Sequence, residues 1–419
     1  MSLVTYNKEP IIAVGIILPE DNQRELSIIN SKLNQKYEIL IKNNQLLIND
    51  VIYSSYSFNR PENELNDHYF DIDNVSAGRG FHWEKKITIK VKGNLEIKVK
   101  KKSIFLVNYI SAEMYLMCVA TSEMSGDCPI SLLESQTIAA RSWLFAAAEK
   151  KHQEYGLDVC NDDCCQRYQG FNQVTESALI ASKNTSGKVL FYNNFICDTR
   201  YSKCCGGHSE NNENVWGGNP KTYLKGIIDN SSKKSIGLMK EDGIKSWIKS
   251  PQKSNCNDSI FGEGELKKYL GNVDRSGKYF RWKLEISQSQ LTKNINEKTK
   301  LSFTKINTLV PVKRGVSGRI LELKIIGNDG SKELELIIKS EYEIRRVLHP
   351  KFLYSSAFII KTETFNHVAP SNFILDGAGW GHGVGLCQMG ALKMALEGKS
   401  TNEILLHYFS STEVKKVYD

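Results

Sequence analysis

Glu123, in the run SEM, and Arg141, in the run AAR, are the residues whose type and setting best suit chemistry on a polar substrate. Both lie in Tyr115–Ala148, YLMCVATSEMSGDCPISLLESQTIAARSWLFAAA. A carboxylate held just ahead of an apolar helix can act as general acid and then as general base. Its plainer reading is a surface loop residue. A guanidinium on an Ala- and Leu-rich helix needs a carboxylate or carbonyl partner. Arg141 is therefore either half of a structural ion pair or a contact to substrate or catalytic acid. Asp127, Asp162 and Asp163 are near in sequence, but none has so distinctive a setting. Ordinary glycoside hydrolysis needs two carboxylates. A reaction in which one group protonates the leaving oxygen and later takes a proton back needs one.

The second stretch is GAGWGHGVGLCQMGA, Gly377–Ala391, with Gly at every second position from 377 to 385. It is neither G-x-G-x-x-G nor a phosphate loop, so no nucleotide cofactor is expected. Alternate Gly predicts an extended backbone bare on one face, where another chain or a flat ligand can approach. Trp380, His382 and Val384 would share the other face, with Trp380 suited to stacking on a sugar ring and His382 to hydrogen bonding. The alternative is a tight turn against a helix, with His382 structural.

Cysteines group as Cys160-x3-Cys164-Cys165 and Cys204-Cys205-x2-His208. Tetrahedral thiolate and imidazole ligation would suit a structural zinc ion. The candidate ligands are Cys160, Cys164, Cys165 and Cys205, with His152 a further possibility. Disulfides or free buried thiols are the rival. Cys118 and Cys387 sit in apolar surroundings and read as small buried side chains.

Positioning these residues requires an α+β chain. Residues 1–106 alternate with period two, rich in Ile and Val, and predict a β-rich N-terminal region. FHWEKK, Phe81–Lys86, reads as a half-exposed strand edge. Ser131 and Glu134 form an S-x-x-E capping box, predicting a central buried helix to about Lys150, packed on a mixed or antiparallel sheet. Residues 152–218 predict long ordered loops, and loops of that kind often carry function. Residues 107–419 are expected to form the catalytic domain, with an inserted lobe at about 219–339. Within it, Asn328-Asp329-Gly330 predicts a hairpin turn, followed by a helix from about Ser340. A last helix is expected from a Thr401 cap.

Composition restricts the partners. Hydrophobic residues make up 41% and charged residues 24%, ordinary for a globular chain. The net charge of +8 suits an acidic polymer. No nucleic-acid-binding motif is visible, and Lys100–Lys102 and Lys233–Lys234 read as solvated edges or turns, so nucleic acid is not expected. No apolar run approaches the roughly 18 residues of a membrane helix. The N-terminus lacks the basic start of a signal peptide.

Five blocks in order resemble the SpoIID family, the stage II sporulation protein D and SpoIID/LytB-domain proteins. They are Val107–Trp143, DVCNDDCCQRYQG (Asp158–Gly170), T-x-G-x-V-L-x-Y (Thr185–Tyr192), YSKCCGG (Tyr201–Gly207), and Gly377–Gly398 followed by EILLHYF. FHWE resembles the leader of members from non-sporulating bacteria. The resemblance implies a peptidoglycan lytic transglycosylase of the cell envelope or periplasm, cleaving the MurNAc–GlcNAc bond with closure of a 1,6-anhydro ring. It implies Glu123 as catalytic acid and Arg141 as the family's second motif residue. Candidate groove residues are Gln136, Tyr168, Tyr201, Lys203, Trp380, His382 and Gln388, and the His382 loop is expected to be the other wall of one groove with Glu123. Some members bind zinc through C-x(3–5)-H-C; this chain carries Cys164 where that arrangement has His, and zinc accepts either. The alternative function is a non-catalytic peptidoglycan-binding activator of a partner amidase, as the family's amidase-enhancer members suggest.

Overall fold

The computed structural model describes the chain except residues 1–5, 60–67, 82, 150, 231–236, 251–252, 258–260, 262–264, 271–277 and 365–369. His82, Lys233, Lys234 and the expected helix end near Lys150 lie outside the described residues. The fold is α+β. The chain divides into two compact units: residues 1–198 with 267–275 and 413–419, and residues 199–266 with 276–412.

The first unit begins with β1 (Ile11–Ile17), β2 (Glu25–Asn30), β3 (Gln35–Lys42), β4 (Gln45–Ile48), β5 (Val51–Tyr53), β6 (Ser55–Phe58), β7 (Phe70–Ala77), β8 (Lys85–Val91), β9 (Asn94–Lys100) and β10 (Ser103–Ser111). Residue 106 thus falls inside β10, within the first unit. Tight hairpins join several strands. Asn43-Asn44, Asn49-Asp50 and Lys101-Lys102 all take positive φ, as two-residue turns that match strand twist demand. Helices α1 (Ala112–Glu123) and α2 (Ile130–Ala146), strand β11 (Val159–Cys160), α3 (Glu176–Thr185), β12 (Lys188–Tyr192) and β13 (Phe195–Ile196) follow. The described strands form sheets in the orders β5-β4-β3-β2-β7-β8 and β11-β1-β10-β9-β6. β1 lies between β10 and the parallel β11 and buries every residue after Ile11, hence its unbroken apolar run.

α2 packs against α1, α3 and β12 and is buried along most of its length, including Gln136, Ile138, Ala139 and Arg141. Its start corrects the expected capping box. Pro129 is the N-cap, so Ser131 lies inside the first turn. There the Ser131 carbonyl accepts from Ser135 Oγ at 2.6 Å, and Glu134 accepts from Asn184 at 2.8 Å. Pro is favoured at a helix start because it has no N–H to leave unsatisfied. α2 ends as Ala147 takes a left-handed conformation.

The second unit holds β14 (Tyr201–Ser202), α4 (Glu213–Trp216), α5 (Glu241–Lys249), the start of α6 (Glu265–Tyr269), β15 (Arg281–Ser287), α7 (Gln288–Thr299), β16 (Lys305–Arg314), β17 (Ile320–Asn328), β18 (Glu333–Lys339), α8 (Glu341–Leu348), β19 (Phe358–Glu363), β20 (Asn372–Ala378), β21 (Leu386–Cys387), α9 (Gln388–Leu396) and α10 (Thr401–Tyr408). Sheets β15-β20-β19 and β16-β17-β18 enclose a core of Trp282, Leu291, Phe303, Leu323, Phe358 and Leu375 with α7 and α8. The β17–β18 turn forms where expected, its Asp329 carboxylate accepting the Ser331 and Lys332 amides at 2.9 Å each. α8 is capped by Ser340. The cap of α10 is Ser400, in a reciprocal box with Glu403, and Thr401 is the first helical residue.

Candidate functional site

Glu123 is the last residue of α1, where the Ser-Gly-Pro content of the following segment stops the helix. It is 9% exposed, not a free surface residue. Its Oε1 accepts the Arg167 amide at 3.2 Å. Arg167 Nη2 donates to Asp163 Oδ1 at 2.6 Å, and Asp163 Oδ2 accepts Trp83 Nε1 at 3.0 Å. The Trp83 ring stacks on Phe81 with centroids 4.5 Å apart, and the Arg167 guanidinium lies 5.7 Å from the Trp83 ring centre. Burial pushes the Asp163 carboxyl up to about 6 although Arg167 pulls it down, and the charges of Asp162 and Glu123 add to the rise. A second carboxylate therefore shares Glu123's electrostatic surroundings.

The loop carrying Asp163 and Arg167 is tied down on many sides. Asp162 accepts the amides of Gly78 at 2.8 Å and Arg79 at 2.7 Å. Arg79 in turn forks onto Asp21 at 2.6 and 2.7 Å. Gln166 donates to the Ala140 carbonyl of α2 at 3.1 Å, and the Gln169 amide donates to Ser122 Oγ at 3.0 Å. Tyr168, expected in the groove, is fully buried instead: it stacks on Tyr115 at 5.3 Å and donates to Asn108 at 2.9 Å. Gly170 has φ +68° and backs directly on Lys90, where a Cβ would lie 2.2 Å from the carbonyl oxygen.

At the head of this loop His152, Cys160, Cys164 and Cys165 converge, their ligand atoms all within 4.8 Å of one another. Cys160 Sγ and Cys164 Sγ are 3.1 Å apart, and Cys164 Sγ is 3.6 Å from His152 Nε2. Hydrogen bonds from Cys160 and Cys165 hold Cys164 well below an ordinary thiol. Three sulfurs and one imidazole fit a closed structural zinc site. The fourth residue here is His152; Cys205 belongs to a different cluster in the second unit.

Arg141 is fully buried and does not reach outward. It donates through Nε to Glu113 Oε1 at 2.9 Å, through Nη2 to Glu113 Oε2, and through Nη1 to the Lys188 carbonyl at 2.9 Å. Glu113 also accepts from the Gly187 amide at 3.1 Å and from Tyr418 OH. Of the two readings open from sequence, the geometry is that of the structural ion pair, joining α1, α2 and β12.

Residues 100–192 match the family model described as "Stage II sporulation protein". That stretch is similar to the SpoIID family. The matched stretch contains Glu123, Arg141 and the Cys160–Cys165 loop. A domain of unknown function (DUF8618) matches residues 210–385, which lie in the second unit except for 267–275. The chain is 26% identical to an uncharacterized protein of Brachyspira hyodysenteriae, over 78% of this chain and 72% of that one. It is 23% identical to the amidase enhancer of Bacillus subtilis (70% of this chain, 39% of that protein). It is also 23% identical to stage II sporulation protein D of Bacillus amyloliquefaciens (77% and 79%).

The Gly-rich stretch and its neighbours in the second unit form their own cluster. Past the end of β20 at Ala378 the Gly-rich stretch does not stay extended: Gly379, Gly381, Gly383 and Gly385 all take positive φ, between 73° and 95°. The expectation of an extended backbone is corrected to a chain of left-handed kinks. Close approach does occur, and the neighbour is the same unit: a Cβ on Gly385 would lie 2.0 Å from the Arg200 carbonyl. Trp380 is 5% exposed and packs against Tyr279 and Tyr354 at 4.5 and 5.2 Å, so it is core rather than a sugar platform. His382 is half-buried, its Nδ1 accepting the Val384 amide at 3.0 Å, with the Trp216 ring 4.7 Å away. Trp216 also faces Arg200 at 4.3 Å and is 39% exposed, making it the exposed aromatic of this cluster. Lys203 and Gln388 are buried and Tyr201 half-buried on β14, while Gln136 is buried in α2 of the first unit. Sequence reading missed Arg167 and the partnership of Asp163 with Trp83. No periodic signal marks them, since they lie in loops joined only by tertiary folding.

Proposed function

We propose that this chain acts on the bacterial cell wall, and that its first unit cleaves peptidoglycan glycan strands as a lytic transglycosylase. The observation that carries the reading is Glu123 itself: a nearly buried carboxylate at a helix end, fixed by the Arg167 amide beside the Asp163–Arg167–Trp83 set. The similarity to proteins named stage II sporulation protein D and amidase enhancer supports the cell-wall setting.

Glu123, protonated, gives its proton to the GlcNAc O4 as the C1–O4 bond breaks. Positive charge develops at C1 and the ring oxygen of MurNAc, and the Glu123 carboxylate faces it. The C6 hydroxyl oxygen of the same sugar then bonds to C1, and its proton returns to Glu123. No water is consumed and the carboxyl is regenerated, so one group serves as acid and base. A net charge of +8 favours anionic wall polymers as partners. Zinc held by His152, Cys160, Cys164 and Cys165 would be structural, clamping the loop that positions Arg167 and Asp163.

A second reading is a wall-binding activator of a partner amidase, favoured by the relative named amidase enhancer and by the closure of Arg141 on Glu113. Purified peptidoglycan stripped of stem peptides separates the two. Wild type should release 1,6-anhydro-MurNAc, detected by mass spectrometry, and Glu123→Gln should not. Glycan binding without anhydro product, or a Glu123→Gln protein as active as wild type, defeats the transglycosylase reading.

A further inference from the structure

The second unit contains a cluster that the chemistry at Glu123 does not use. Cys205, Asp229, Cys256 and Cys387 bring three sulfurs and a carboxylate oxygen together, all within 4.8 Å of one another. All four residues are buried, none more than 1% exposed. Cys205 Sγ lies 3.5 Å from Cys256 Sγ and 3.4 Å from Asp229 Oδ2. Four ligands at zinc bond lengths stand about 3.5–3.8 Å apart along the edges of a tetrahedron. The observed separations are already close to that.

The surroundings are arranged as a metal site's are. Asp229 presents its two oxygens to different partners. Oδ1 accepts from Tyr408 OH at 2.9 Å and Asn255 Nδ2 at 3.1 Å, with His407 Nε2 at 3.3 Å. Oδ2 is left facing the sulfurs. An outer shell that binds one carboxylate oxygen fixes the other for a metal. The sulfurs in turn accept backbone amides: Gly207 N to Cys205 Sγ at 3.4 Å, and Cys205 N to Cys387 Sγ at 3.2 Å. Amide donors favour the thiolate over the thiol. Gly206 and Gly207, at φ +79° and +108°, make the turn that points the Gly207 amide back at the sulfur. Gly390 leaves the space: a Cβ there would stand 2.6 Å from Asp229 Oδ2 and 2.1 Å from Tyr408 OH. His407 Nε2, 3.3 Å from Oδ1, is the basic side chain in these contacts, and a metal ion on Oδ2 would also balance the charge of the sulfurs.

We infer that Cys205, Asp229, Cys256 and Cys387 form a structural zinc site of the second unit, separate from the His152–Cys160–Cys164–Cys165 cluster. The ion would join four loop and helix-end segments distant in sequence, around residues 205, 229, 256 and 387. The site is independent of whether Glu123 is catalytic.

The test uses the full chain, purified without added metal and analysed for zinc per chain by mass spectrometry. Cys164→Ser/Cys165→Ser removes the first cluster from the measurement. That protein should retain about one equivalent of zinc, and adding Cys256→Ser/Cys387→Ser should abolish it. Because serine at buried positions can unfold the unit, a second readout leaves the proposed ligands unmutated. The Cys164→Ser/Cys165→Ser protein is stripped and titrated with cobalt(II), and a tetrahedral cobalt–thiolate absorption should saturate at about one equivalent. Absence of that absorption overturns the proposal. So does a Cys205–Cys256 disulfide found by mass mapping of protein kept under reducing conditions.

Discussion

Replacing Arg141 by Met decides between a structural and a substrate-contacting guanidinium. Arg141 is fully buried and Glu113 has a side chain 15% exposed, so screening by water is slight. Losing one partner of a buried pair costs about 3–5 kcal/mol, because the other charge is left uncompensated. Here Glu113 keeps the Gly187 amide and the Tyr418 hydroxyl, which places the expected cost near the lower end, about 3 kcal/mol. The Lys188 carbonyl also loses its Arg141 donor. For a unit of this size that is about 6–12 °C of melting temperature. Glu113→Gln should cost a similar amount, and the double variant Glu113→Gln/Arg141→Met less than the two added, with a coupling of at least about 1 kcal/mol. The assay is chemical denaturation followed by circular dichroism, together with glycan cleavage well below the melting temperature. The folded Arg141→Met protein should cleave with a kcat within a few-fold of wild type. A variant as stable as wild type to within about 0.5 kcal/mol, yet inactive, would refute the assignment of Arg141 to the frame.

Glu123→Gln should lower 1,6-anhydro product formation by about 10²–10⁴-fold while shifting stability by less than about 1 kcal/mol, read in the same two assays. Cys164→Ser should speed amide hydrogen exchange across 161–170 and leave β17–β18 unchanged; equal exchange in both would remove the clamp role. Gly383→Ala should destabilise the second unit by about 2–4 kcal/mol, since φ is +76° and the new methyl would stand 2.3 Å from the buried Arg319 guanidinium carbon. His382 is held well below the ordinary imidazole range by burial and by Arg200, Arg319 and Arg345. The unfolded chain therefore takes up a proton below about pH 6.5 that the folded one refuses. Stability contributed there is full above that pH and falls as pH drops, and His382→Gln should flatten the acid limb of the melting-temperature profile.

What could be read from the sequence follows what is local. Period-two alternation found the β-rich start because each strand carries its own pattern, and Asn328–Gly330 found a hairpin because turn chemistry is a matter of neighbours. Caps were less secure: Ser131 and Glu134 satisfy a capping box in sequence, yet Pro129 starts α2 and leaves that box unused. Alternate glycines looked like a strand, since sequence shows where Cβ atoms are missing but not the sign of φ. Glu123 was singled out by its setting and by family resemblance. Its neighbours Arg167 and Asp163 were not, because their meaning arises only when the loop folds back on α1. The cysteines illustrate the same limit. Cys160, Cys164 and Cys165 announce themselves by spacing, whereas Cys256 and Cys387, scattered and in plain surroundings, are brought to Cys205 by the fold alone.

The loop from Cys160 to Gly170 links these observations. An acid that gives and then recovers a proton, as proposed for Glu123, has to keep one position through both steps. Glu123 ends a helix and has no further turn to hold it, so its position depends on what packs over it. That cover is the Arg167 amide, and Arg167 is itself committed to Asp163. A buried ion pair in a loop is costly unless the loop is fixed, since each ion loses hydration on closing. Fixation comes from both ends: the cysteine cluster and β11 on one side, Tyr168 and Gly170 on the other. The cysteine cluster thus sits at one end of the loop whose Arg167 amide covers Glu123. Loosening Cys164 should therefore reduce turnover through Glu123 more than it reduces the stability of the β-rich start.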